Sequence, residues 1–139
     1  MNLPVPLILL ASIAAAAVLI YFPYGVVAYG RFQVGMDFGA PRALFDKLPA
    51  FAKRASWAHQ NSFETFTPFA AAALMAYVTG VTSTNAGIAA IAFVVSRFLF
   101  SLFYILNVPP LRSLMFGIGS AATITLFYES LRQASRIAG

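Results

Sequence analysis

Arg54–Phe69 reads RASWAHQNSFETFTPF, and this stretch decides what kind of fold the chain can have. It opens a long apolar run, yet it carries Arg54, His59, Asn61 and Glu64 before the sequence turns purely hydrophobic. Ionisable side chains inside a membrane span are costly, so they face a bundle interior or a wet cavity and mark function. Arg97 is a second intrusion, in another apolar stretch. Two polar intrusions of opposite charge in a greasy chain point to a buried site between helices.

Composition agrees with a membrane setting. Of the 139 residues, 60% are hydrophobic and only 9% are charged, against about a quarter charged in a soluble domain. The length suits one domain over 1–139. With no Cys, the chain has no disulfide, no thiolate nucleophile and no Cys-based metal site, so thiol chemistry would need a thiol from the substrate. A single His with no carboxylate cluster argues against a metal site. The net charge of +5 does not indicate nucleic-acid binding, because the cations concentrate in one loop, as membrane topology demands.

The pattern predicts an all-α, integral-membrane fold of four helices over about 3–30, 51–81, 86–106 and 111–132. Residues 1–30 hold no charge, more than the ~20 apolar residues a span needs. Pro4 and Pro6 suit the start of the first helix, Pro23 should kink it, and the run is too long for a signal-peptide core. The loop 31–50 carries Pro and Gly signals and five of the thirteen charged residues, Arg31, Asp37, Arg42, Asp46 and Lys47. Its length suggests function, and Leu44, Leu48 and Phe51 recur at helical spacing, as in a short interfacial turn. TGVTSTN (79–85) is a polar turn with Asn85 as candidate N-cap. NVPPLR (107–112) ends the third helix and starts the fourth. Arg31, Arg42, Lys47, Lys53, Arg54 and Arg112 place the first and third loops in the cytoplasm and both termini outside. Ala14–Ala17, Ala70–Ala73 and Ser113/Gly117/Ser120 permit close helix approach, within one chain or between chains.

Depth and face can also be read. Glu64 lies ten residues past Arg54, about 15 Å along the helix, and Arg97 lies ten residues before Asn107. The two are expected at matched depth as an intramembrane pair, which either fixes helix register or serves a site. Trp57, Asn61, Glu64 and Pro68 share one helical face, as do Arg97, Ser101 and Tyr104. With Arg112 these stripes converge on a polar pocket open to the cytoplasm. His59 faces almost the other way and reads as an interface hydrogen bond. Arg112 is the cation at the pocket mouth. It either favours a bound thiolate or binds lipid phosphate as a topology residue.

The run RASWAHQNSFETFTPF resembles a signature of the MAPEG proteins, membrane-associated proteins in eicosanoid and glutathione metabolism. The family pattern is Arg-Ala-His, then Asn, Glu three residues on, then Pro-Phe. SRFLFSLFYILNVPPLRS (96–113) resembles the second signature, with Arg mid-helix, Tyr seven residues on, and Pro and Arg-Ser opening the fourth helix. The resemblance covers most of the chain and implies a homotrimer of four-helix subunits, with sites between subunits near the cytoplasmic face. It implies that glutathione is the cosubstrate, that Asn61 and Glu64 hold its peptide and amine, that Tyr104 lines the site, and that Arg31 holds a carboxylate. Arg112, with Ser113 beside it, would be the catalytic pair at the sulfur, and Arg97 the structural partner of Glu64. Departures are Gln60 and Trp57, where glutathione-using members carry Arg, and Phe116, where some members carry Tyr.

These readings give a membrane-bound transferase or peroxidase that joins glutathione or a related thiol to a lipophilic electrophile. Its partners would be membrane lipids, the thiol, a lipophilic small molecule and copies of itself. The compact loops and the APR run of the first loop suggest a bacterial-type protein of the inner membrane. The alternative is a non-catalytic lipid-binding or scaffold protein of the same fold. A transporter has less support, since the polar residues cluster on one side and line no path across the membrane.

Overall fold

The computed structural model describes residues 3–138, and those residues are all helical or loop. Four long helices, α1 (Val5–Val34), α2 (Ala50–Val78), α3 (Thr84–Ile105) and α4 (Pro109–Ala138), are joined by short turns, except that a 3-10 segment (Pro41–Lys47) interrupts the first connection. α3 packs most extensively on α4, and α1 on α2, while α2 touches all three other long helices. α3 likewise touches all three others, so α2 and α3 together position the bundle.

The helix ends follow from local chemistry. The Pro4 carbonyl accepts from the amides of Leu7 and Ile8 at 3.0 and 3.1 Å, which starts α1. α2 ends with Gly80 in the left-handed region (φ 71). The Val81 amide then bonds back to Ala76 at 2.9 Å and the Gly80 amide to Tyr77 at 3.1 Å, satisfying carbonyls that the helix end would orphan. α3 ends the same way. Asn107 takes the left-handed conformation (φ 59), Val108 bonds to Phe103 at 2.9 Å, and Asn107 to Tyr104 at 3.2 Å. The N-cap of α3 is Ser83, whose side chain accepts from the Ala86 amide at 3.3 Å. Asn85, the expected cap, lies inside the helix, because the helix starts two residues earlier.

The core is built from small and aromatic side chains. Phe69 of α2 and Phe93 of α3 stack face to face, 3.7 Å apart and 1° from parallel. Around them lie Ala72, Ala73, Ala76, Ala86, Ala90 and Leu126. Small residues let helices approach closely where lipid offers no hydrophobic drive for association. Gly30 is the closest approach, since a side chain there would collide with the β-carbon of Ala52. A second cluster of Val27, Leu48, Ala52 and Ala55 seals the end of α1 and α2 next to the first connection. Leu44 and Leu48 turn inward and are buried, so the 3-10 segment is anchored to the body of the protein.

α1, α3 and α4 are each long and apolar enough to cross a membrane, and large apolar side chains such as Val18, Val95 and Ile124 stand exposed on them. α2 is not among the spans that qualify by composition. Its first half carries Lys53, Arg54, His59, Gln60, Asn61 and Glu64, although at 29 residues it matches α1 and α4, of 30 residues each, in length.

Candidate functional site

A cavity of about 460 Å³ opens between α2, α3 and α4. α2 contributes Asn61, Glu64, Thr65 and Pro68, positions that fall on one stripe at helical spacing. Phe93, Phe116, Ile124 and Phe127 make its apolar wall, and Arg97 reaches its polar end. The cavity is amphipathic, with a hydrogen-bonding rim joined to an aromatic chamber.

Arg97 organises the rim. It is 4% exposed, and its Nη2 donates to Asn61 Oδ1 at 2.8 Å. Its guanidinium lies 4.0 Å from the centre of the Phe100 ring, and its Nε is buried with no hydrogen-bond partner. Asn61 Nδ2 in turn donates to Glu64 Oε2 at 3.5 Å, and Gln60 Nε2 to Glu64 Oε1 at 3.4 Å, both long contacts. The expected Glu64–Arg97 pair is therefore indirect. Asn61 stands between the two and uses both ends of its amide, while Glu64 remains exposed. The only ion pair among the described residues is Glu129–Arg132, at 3.8 Å.

Arg112 follows directly from the turn. The left-handed Asn107 and the Pro109–Pro110 start of α4 carry it back over α3, where its guanidinium lies 4.5 Å from the centre of the Tyr104 ring. Tyr104 contacts Phe100 edge-on at 5.5 Å, and Phe100 lies 6.2 Å from Phe116 on the cavity wall. Arg112, Tyr104 and Arg97 are thus linked through one aromatic chain. Ser113 is exposed and makes no hydrogen bond among the described residues.

Arg31 is elsewhere. It lines a second pocket of about 420 Å³ between α1, the 3-10 segment and α2, with Arg42, Trp57, His59 and Gln60. Its guanidinium is 5.9 Å from the Tyr24 ring centre. Within one chain the structure therefore gathers Asn61, Glu64, Arg97, Tyr104 and Arg112 along α2–α3–α4 and leaves Arg31 on the α1 side of α2. His59 Nδ1 donates to the Ile20 carbonyl at 2.7 Å, in the turn of α1 that Pro23 interrupts. Tyr24 and Phe63 each lie 5.2 Å from its ring. With Nδ1 as the donor, Nε2 of the neutral ring is an acceptor.

Three residues escaped sequence reasoning. Arg54 Nε donates to the Ile105 carbonyl at 2.9 Å and so caps the end of α3. The sequence showed it as an intrusion at the start of α2 and a topology cation, but not as a cap for α3. Glu129 is buried and accepts from Ser83 Oγ at 3.2 Å, tying the α2–α3 turn to α4. An isolated Glu in the tail half of an apolar helix was the signal. Arg42 enters the second pocket because Leu44 and Leu48 fold the 3-10 segment inward.

A family model described as "MAPEG family" matches residues 8–132, nearly the whole chain. No curated protein matches the chain, and no solved structure does.

Proposed function

The chain belongs to the MAPEG family, and from that premise we propose that it is a membrane-bound transferase or peroxidase that uses glutathione or a related thiol against a lipophilic electrophile. In this reading four spans, α2 included, form each subunit and three subunits assemble. The first and third loops face the cytoplasm of a bacterial-type inner membrane. The observation that supports the reading is the amphipathic cavity with Arg97 at its polar end, joined to Arg112 through the Tyr104–Phe100–Phe116 aromatic contacts. Asn61 and Glu64 offer polar contacts at the rim, Phe93, Phe116 and Phe127 accept an apolar molecule entering from the bilayer, and Arg112 stands over Tyr104 beyond them.

The chemistry divides accordingly. A free thiol has a pKa of about 8.5 and is mostly protonated at neutral pH, and a neighbouring guanidinium favours the reactive thiolate. Arg112 is given that role, with Ser113 and Tyr104 beside it as hydrogen-bond donors. Asn61 and Glu64 take the ligand's peptide and amine, and Arg31 its carboxylate. The thiolate forms an S–C bond as the acceptor's leaving group departs with its electron pair and a proton. With a peroxide it forms an S–O bond as the O–O bond breaks, the alcohol leaves protonated, and a second thiol converts the sulfenic acid to a disulfide and water. Arg97 supports the rim by fixing Asn61.

The test is calorimetric binding of glutathione to the detergent-solubilised protein, with ultraviolet thiolate absorbance followed in parallel. Saturable binding with a thiolate signal that disappears in Arg112→Ala, while the helical content is unchanged, supports thiol activation. Binding with no thiolate signal in the native protein refutes it. A second reading, passive lipid binding, is favoured by the apolar wall of the cavity and by Trp57 and Gln60 in place of arginines. It predicts a co-purifying lipid in native mass spectrometry and no glutathione binding.

A further inference from the structure

The second pocket holds an unbalanced concentration of positive charge. Arg31 from the end of α1 and Arg42 from the 3-10 segment both line it, and no carboxylate does so among the described residues. Neither guanidinium has an ion-pair partner among the described residues. Arg31 Nε is buried without a hydrogen-bond partner, a state that costs free energy unless something accepts from it. The nearby acids are not placed to help. Asp37 Oδ1 is occupied by the amides of Gly39 and Ala40, at 2.9 and 3.3 Å. Asp46 is exposed and is not part of the pocket wall.

The other wall groups suit an anion as well. Gln60 can donate from its amide and Ser56 from its hydroxyl, while Tyr24 and Trp57 give flat apolar sides; His59 also lines the pocket, but its Nδ1 is spent on the Ile20 carbonyl, so it gives the anion no donor from that nitrogen. The segment that brings Arg42 here is held by two buried leucines, Leu44 and Leu48, so Arg42, whose side chain is itself exposed, approaches from an anchored element. A loop cation placed only for topology would need neither the anchor nor a second guanidinium in the same pocket.

We propose that this pocket is an oxyanion site in which Arg42 is the second cationic ligand, gripping a carboxylate or phosphate together with Arg31. The favoured occupant is a carboxylate of the peptide thiol, and that choice rests on the function proposed above. The phosphate of a phospholipid headgroup shares the chemistry. Planar guanidinium forks match either group with paired, charge-assisted hydrogen bonds.

The experiment uses the full chain in detergent and measures binding of glutathione, glutathione diethyl ester, inorganic phosphate and a short-chain phosphatidylglycerol to the native protein, Arg42→Gln and Arg42→Lys. The native protein should prefer the free acid to the diester. Arg42→Gln should weaken the free acid about tenfold, the effect of one charge-assisted contact, and leave the diester unaffected. Arg42→Lys should retain part of the affinity, and the preference should fall as salt rises. If phosphate and phosphatidylglycerol show the Arg42 dependence while glutathione does not bind, the oxyanion site stands with a lipid as its source, and it is the thiol function that fails. The proposal is overturned if Arg42→Gln, with circular dichroism and elution volume unchanged, binds every ligand as the native protein does. It is equally overturned if neither carboxylate nor phosphate ligands bind the native protein.

Discussion

Removing the Asn61 carbonyl tests the internal logic of the rim. Arg97 is 4% exposed, and its one hydrogen bond goes from Nη2 to Asn61 Oδ1 at 2.8 Å, with Nε already buried and unpartnered. Asn61→Ala therefore leaves a buried cation with no acceptor in contact. A hydrogen bond to a charged group contributes about 1.5–3 kcal/mol in soluble proteins, whereas double-mutant cycles within membranes average about 0.6 and reach about 1.7. The charge and depth of Arg97 put this contact at the upper end of the membrane range, about 1.5 kcal/mol, or roughly tenfold in the unfolding equilibrium. In an Arg97→Met background the donor is gone, while the long unbranched side chain still packs on Phe100. There Asn61→Ala should cost close to nothing. Asn61→Asp keeps the acceptor for Arg97 and adds opposite charge, but turns its second carboxylate oxygen toward Glu64, so it should recover only part of the loss. The assay is equilibrium unfolding in mixed micelles followed by circular dichroism on all four members of the cycle. A coupling energy below about 0.5 kcal/mol, the scatter expected of independent sites, refutes the claim that Arg97 and Asn61 act as a unit.

Gly30→Ala places a methyl group against the β-carbon of Ala52. It should destabilise by about 1–3 kcal/mol, and Ala52→Gly in the same chain should recover most of that in thermal unfolding. Arg54→Gln removes the donor to the Ile105 carbonyl and should cost about 1 kcal/mol, read as faster hydrogen exchange at the α3–α4 turn with little change elsewhere. Ser83→Ala removes both the N-cap of α3 and the donor to Glu129. It should cost about 1–2 kcal/mol, whereas Ser83→Asp, an equally good cap, should fail to rescue because it faces the Glu129 carboxylate.

The elements were legible where one physical signal dominated. Uncharged length announced α1, and Pro109–Pro110 announced the start of α4. The α3 boundary was misplaced because Ser83 and Asn85 are both good caps, and the choice between them depends on Glu129, forty-six positions away, which holds Ser83. α2 was the hardest element. Its apolar half looks like a span and its polar half does not, so composition alone leaves it below the other three. The depth argument brought Glu64 and Arg97 to one level. It could not show that Asn61, one turn closer, captures the guanidinium first, because side-chain reach is not written in the spacing. Arg42 was invisible as a site residue for the same reason. Its position depends on two leucines folding inward, and spacing gives their periodicity but not the surface they meet.

The separation of Arg31 from Arg112 yields the sharpest test of assembly. Arg31 stands in the α1–α2 pocket, while Arg112 stands over Tyr104 at the α3–α4 turn. If both serve one thiol site, as proposed, the two arginines come from neighbouring copies in a closed ring. Co-expression of Arg31→Gln and Arg112→Ala chains in equal amounts then generates some interfaces where the first chain supplies an intact Arg112 and the second an intact Arg31. With random mixing in a cyclic trimer about one interface in four is intact, so at thiol concentrations well below saturation about a quarter of native thiol-conjugating activity should return, above the residual level of either variant alone. If the site draws both arginines from one chain, every site in every mixture carries a defect, and activity stays at the level of the single variants. Tagged chains purified through both tags establish that mixed assemblies formed and, with the homotrimers removed, raise the intact share to about one interface in three, so a null result counts against the shared site and not against the mixing.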